Sequence, residues 1–237
     1  MEADRGIAGA ILAVAGVFFL AVAHRYQQLT HYPSVCAAWF ALVYLLCTAL
    51  HPPTQPPGQG DNIRRRTVYL AIGIMQGVGM TLVSSCLLKK VRLRVAGGLW
   101  AVFGRVCLGG LSGSALAFYI MAMSQGGLVQ SAGGRAAVAV VCSVVIAIPQ
   151  LYLPARAFSA SSAVLGAYLL VLGVDCFART GYINHVAVFT KCRLDVEYRA
   201  ERPAMVLQAA ALILAMLSVS LQRLLALLRF RNSFVGK

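Results

Sequence analysis

Apolar residues in this chain come in long runs rather than in amphipathic stripes. A helix crossing the ~30 Å hydrocarbon core of a bilayer needs about 20 mainly apolar residues, because every backbone amide there must bond within its own segment. Seven stretches meet or approach that length, at roughly Ile7–Ala23, Ser34–Leu50, Thr67–Leu88, Val95–Met123, Ala136–Leu153, Ser161–Ala178 and Pro203–Leu228. The pattern predicts an all-α integral membrane bundle of seven transmembrane helices in one domain over residues 1–237, with 229–237 as a short basic tail. Pro33 and the Pro52-Pro53 pair bound the short second helix. Between the helices, HRYQQLTHYP, HPPTQPPGQGDNIRRR, KKVRLR, SQGGLVQSAGGR and PARAFSA read as connections, and their prolines and glycines interrupt helix. The longest connection, RTGYINHVAVFTKCRLDVEYRAERP, holds Asp195, Glu197 and Glu201, three of the seven acidic residues.

Composition agrees with a lipid solvent. Charged residues make up 12% of the chain against the ~25% of a soluble domain, so a water-soluble globule of this size has too little polar surface. The net charge of +14 lies mostly between the apolar runs, where it meets anionic lipid headgroups, and nucleic acid is not an expected partner. Of seven cysteines, all but Cys192 fall within apolar runs and read as buried free thiols. No CxxC pair offers a metal site, and no cofactor is expected. The segment before the first run is short and acidic. Although the AVA tripeptide at Ala21 to Ala23 mimics a signal-peptide cleavage site, a first transmembrane helix is the favoured reading.

Orientation rests on a narrow margin. Setting Arg105 apart and counting Arg223 with the C-terminal end, ten Lys and Arg fall on each side of the bilayer. The dense charge of KKVRLR and RFRNSFVGK directly beside helices favours the N-terminus outside and the C-terminus in the cytosol, in the plasma membrane or an endomembrane.

Helices in lipid associate where small side chains let backbones approach. Gly73–Gly77 and Gly109–Gly113 are GxxxG pairs; Ser162–Gly166 is their small-xxx-small equivalent, and Gly173 continues it. Arg105 recurs with Gly98, Ala101, Gly109 and Ser112 at spacings of three and four, which turns it into the bundle. A cation there needs a polar partner. Two arrangements satisfy the charges. In one, Arg105 pairs with Asp175, placed 5–8 Å nearer the opposite surface by the helix rise. In the other, Asp175 pairs only with Arg179, four residues on, while Arg105 binds backbone carbonyls or lines a wet cavity.

Several classes are excluded. The seventh run lacks the lysine of retinal proteins, and the acid-arginine-tyrosine and Asn-Pro-x-x-Tyr patterns of rhodopsin-like receptors are missing. Pro149-Gln150 is similar to a PQ-loop transporter element, but no second copy stands at an equivalent place. His24, His31, His51 and His185 are placed in connections or at helix ends, without HExxH or paired-carboxylate spacing, so an enzyme is not expected.

The run 165-LGAYLLVLGVDCFARTGY-182 resembles the sixth-helix signature of the transmembrane protein 198 and seven-transmembrane superfamily member 3 family, through Gly166, Gly173, Val174, Asp175, Phe177, Thr180, Gly181 and Tyr182. A second match, 216-MLSVSLQRL-224, is similar to the end of that family's seventh helix, with Gln222 as its glutamine. In the first hairpin the chain departs from the family, with Ala23-His24-Arg25-Tyr26 and Trp39-Phe40 in place of glycine-rich steps. The resemblance implies a seven-helix membrane fold, and a scaffolding role in signalling at the plasma membrane. The expected function is a multi-pass scaffold or interaction protein whose partners are anionic lipid headgroups and a protein, either a different one or a second copy. The alternative is a small-solute transporter or channel with a polar path around Arg105, Asp175 and Gln76.

Overall fold

A computed structural model describes residues 2–23, 25–50, 71–72, 74–83, 94–123, 129, 131–182 and 202–235, which are mostly helical, with no strand among them. The helices are α1 (Glu2–Val17), continued by a π turn over Phe18–Val22, and α2 (Gln27–Leu50). There follow α3 (Ile74–Val83) and α4 (Arg94–Met121), then α5 (Ala132–Ala147) with the single-turn α6 (Pro149–Tyr152). The last two are α7 (Pro154–Ala178) and α8 (Arg202–Val235). Four stretches are long and apolar enough to cross a membrane: Gly98–Met121, Gly133–Tyr152, Pro154–Ala178 and Arg202–Leu225. Gly6–Ala21, Leu29–Val43 and Ile74–Val83 are shorter apolar helices. Gly73, the KKVRLR turn and most of the longest connection lie outside the described residues.

The central helix is α7. Its span is 67% buried, against 22% for α8 and 11% for the α5–α6 span, and it packs on α1, α4, α6 and α8. Its contact with α1 is made by glycines seven residues apart on both helices. Gly9 lies opposite Gly173 and Gly16 opposite Gly166, so the two helices run antiparallel. A Cβ on Gly16 would stand 2.5 Å from the Leu170 amide nitrogen and 2.8 Å from the Gly166 carbonyl, and one on Gly173 would stand 2.6 Å from the Ala13 nitrogen. Here main chain rests on main chain, the closest approach two helices can make. The expected pair Gly109–Gly113 does the same for α4 on α5: a Cβ on Gly113 would meet the Cys142 carbonyl at 2.4 Å, and one on Gly109 the Ala147 Cα at 2.8 Å. Gly77 seats α3 on Cys36 of α2.

Three helix boundaries differ from the sequence expectation, each for a local reason. Pro33 lies inside α2 rather than before it. Its missing N–H frees only the Leu29 carbonyl, while the Thr30 and Ser34 hydroxyls add bonds to the Tyr26 and Thr30 carbonyls on either side, at 2.9 and 2.8 Å, and the helix runs through the proline. α7 starts seven residues earlier than Ser161, because Pro154 takes the first helical turn, where its missing N–H costs nothing. The tail expected from residue 229 continues α8 as helix to Val235.

Candidate functional site

The polar side chains buried in the bundle gather where α7 begins. Phe158, Ser159, Ser161 and Ser162 are all buried on its second and third turns. Ser159 donates its hydroxyl proton to Gln222 Oε1 on α8. The Gln222 amide nitrogen donates to the Leu20 carbonyl at 3.0 Å and to Ser218 Oγ at 3.1 Å, and Ser218 itself donates to the same Leu20 carbonyl at 3.0 Å. Leu20 lies within the π turn of α1. The wider turn and the helix end just beyond it turn this carbonyl towards α8, a common use of π turns. One network therefore ties α1, α7 and α8 at a single level.

A second set lies beside it. Gln150 on α6 donates to Ser161 Oγ at 2.6 Å, and the Ser162 hydroxyl turns back on the Ser159 carbonyl at 3.1 Å. His31 is 4% exposed and packs edge-on against Phe158, with ring centroids 6.0 Å apart. It fits only because α4 has a glycine opposite: a Cβ on Gly104 would stand 2.6 Å from the His31 Cβ. Sequence reading placed His31 in a connection and missed this contact, since Pro33 was taken to stand before the second helix. Gln150 was noticed only as half of a Pro-Gln pair. Gly9 and Gly16 were missed too, though their seven-residue spacing repeats that of Gly166 and Gly173.

Arg105 and Asp175, the proposed ion pair, do not meet. Arg105 is half-buried and donates from Nε to the Ala101 carbonyl of its own helix at 3.1 Å, so its guanidinium runs back towards the start of α4. Two contacts set the register of α4 on α7. His31 touches both Gly104 and Phe158, while Ala115, Leu116 and Tyr119 line a cavity of about 50 Å³ with Val164, Ala167 and Tyr168. Arg105 is thus level with the first turns of α7, and Asp175, 17 residues beyond Phe158, lies about 25 Å further along. Starting α7 at Ser161 accounts for about 10 Å of the difference from the expected 5–8 Å; the rest is the offset of α4, whose Arg105 stands level with the first turns of α7. Gln76 is also not where a polar path needs it, being exposed on α3, and Arg179 is exposed rather than buried.

Asp175 instead closes the end of α7. It is 1% exposed, and its Oδ1 accepts from the Thr180 amide at 3.0 Å and from the Thr180 hydroxyl. Arg179 takes the left-handed cap position at φ 55°, its N–H reaching the Asp175 carbonyl at 2.8 Å, and Gly181 follows at φ 83°. The chain then turns Tyr182 into the interior, fully buried. A carboxylate near a helix C-terminus opposes the macrodipole and stays only where donors face it. A left-handed non-glycine residue likewise needs its surroundings to hold it. Gly-Val-Asp and Thr-Gly-Tyr are therefore parts of one cap; Val174, between them, faces outward. Asp175→Asn keeps the acceptor oxygen and should melt close to the wild type. Asp175→Leu orphans two donors and should lose about 2 kcal/mol, read as a lower midpoint in thermal melts of the purified protein. An ion-pair role would make the two variants equally damaging.

Polar side chains bonded from helix to helix among long apolar spans define an α-helical integral membrane protein. The chain belongs to the TM7S3/TM198-like domain family, whose model matches residues 9–223. The matched region contains both glycine seams, the cap and Gln222. Neither a curated protein nor a solved structure matches the chain.

Proposed function

We propose that this chain is a multi-pass scaffold or interaction protein in membrane signalling or organisation, and that it carries out no reaction. The observation that carries the reading is the separation of the three residues a solute path would use. Gln76 is exposed, Arg105 is bonded to its own helix, and Asp175 is held in a cap about 25 Å away. A bundle closed by backbone contact along α1–α7 and α4–α5 suits a fixed platform better than alternating access, which needs helices able to part.

By chain order, the starts of α4 and α7 and the end of α8 share one side of the bilayer. Arg25, Arg156 and Arg223 lie there, together with the basic KKVRLR segment in sequence. That side is assigned to the cytosol, where it meets anionic headgroups or an acidic partner protein. The test is a flux screen of small solutes in liposomes containing the purified protein. No saturable uptake is expected. Saturable uptake that disappears in Arg105→Ala would overturn the scaffold reading in favour of a transporter.

A further inference from the structure

Gln76 is a polar residue in a place that lipid penalises. Gly77, beside it, seats α3 on Cys36, nine residues into α2 and so about 14 Å from that helix's start. This is mid-depth in a ~30 Å core, too deep for a glutamine to reach either headgroup layer. The residue is exposed, and no hydrogen bond joins its carboxamide to any other described residue. In hydrocarbon, an unbonded amide costs more than almost any pairing it could find.

The face around it is shaped for a neighbour. One turn further on, a Cβ on Gly79 would find nothing within 4 Å, so a second helix can approach the backbone closely there. Gln76, Gly79 and Val83 follow one another at spacings of three and four, forming one stripe on the side of α3 away from Gly77. Val83 is exposed as well.

We infer that this stripe is a dimer interface and that its occupant is a second copy of the chain. The argument is complementarity of partial charge. A carboxamide carries one acceptor and two donor hydrogens, so a twofold axis passing near Gln76 sets each amide against the opposite pole of its copy. Two hydrogen bonds then form where the described residues of each chain supply none, and Gly79 from each protomer lets the helices close to that distance. The inference rests on α3 alone and does not depend on the scaffold reading.

The experiment is single-molecule photobleaching of the full-length, fluorescently tagged protein reconstituted at graded dilution into phosphatidylcholine liposomes. The wild type should bleach in two steps over a range of dilutions. Gln76→Leu should weaken dimerisation roughly tenfold, as should Gly79→Leu, whereas Gln76→Asn should retain it. Both leucine variants place an apolar side chain on an exposed face, and elution of each as one symmetric peak in detergent checks that it folds. A wild type that bleaches in single steps at every dilution overturns the inference, and so do leucine variants that dimerise as well as the wild type.

Discussion

Gly16→Ala should leave little folded protein, and what accumulates should melt well below the wild type. The added methyl meets the Leu170 nitrogen at 2.5 Å, the Leu170 Cα at 2.7 Å and the Gly166 carbonyl at 2.8 Å, all of them main-chain atoms. A clash with a side chain is relieved by a rotamer change, but a clash with backbone is relieved only by moving a helix. Overpacking costs 1–3 kcal/mol where neighbours can shift; here α1 must lift off α7 as a rigid rod. Gly9 leaves Gly173 with it, and the Leu20 carbonyl leaves Ser218 and Gln222. The loss should therefore reach or exceed the upper end of that range, roughly 3 kcal/mol. Gly110→Ala is the control, since a Cβ there finds nothing within 4 Å, and alanine is the better helix former by about 1 kcal/mol. Size-exclusion melting curves of the two variants in one detergent provide the comparison. If Gly16→Ala melts with Gly110→Ala, α1 and α7 do not touch through their backbones.

The contrast between those two glycines shows what the sequence could and could not disclose. Apolar run length gave the helices, because hydrocarbon thickness sets it directly, and the spacing of Gly109 and Gly113 predicted a close face that exists. Which glycine meets a neighbour depends on rotation and register, and these are fixed only when the helices pack. Gly98 was placed on the same stripe as Arg105 and Gly109, yet it faces open space. The register also decided the fate of the Arg105–Asp175 pair: reading PARAFSA as a connection moved the start of α7 by seven residues, about 10 Å, and the offset of α4 along α7 supplied the rest of the separation. Asp175 and Thr180 stood within one quoted signature, but a carboxylate bonded to a residue five positions on, past a left-handed arginine, is a turn geometry rather than a periodic pattern. His31 was hidden by the usual rule that proline bounds a helix: Pro33 was read as standing before the second helix, whereas α2 runs through it.

Gln222→Leu should destabilise the bundle by about 2 kcal/mol, the sum of three interhelical or supporting hydrogen bonds at roughly 0.6 kcal/mol each on the membrane scale. The substitution is close to neutral for helix propensity and adds apolar area. A loss therefore reports on the bonds to Ser159, Ser218 and the Leu20 carbonyl, not on α8 itself. Ser159→Ala tests the α7 end of the first of these bonds and should cost less, since it orphans only Gln222 Oε1. The double variant is the decisive measurement. Residues sharing one network are not additive, whereas distant ones add within about 0.5 kcal/mol. With both side chains apolar, no orphaned group remains between α7 and α8, and the double variant should be more stable than the sum of the two single losses by 0.5 kcal/mol or more. Unfolding midpoints in mixed detergent and denaturing-detergent micelles measure all four proteins of the cycle. Strict additivity would mean that Ser159 and Gln222 act separately.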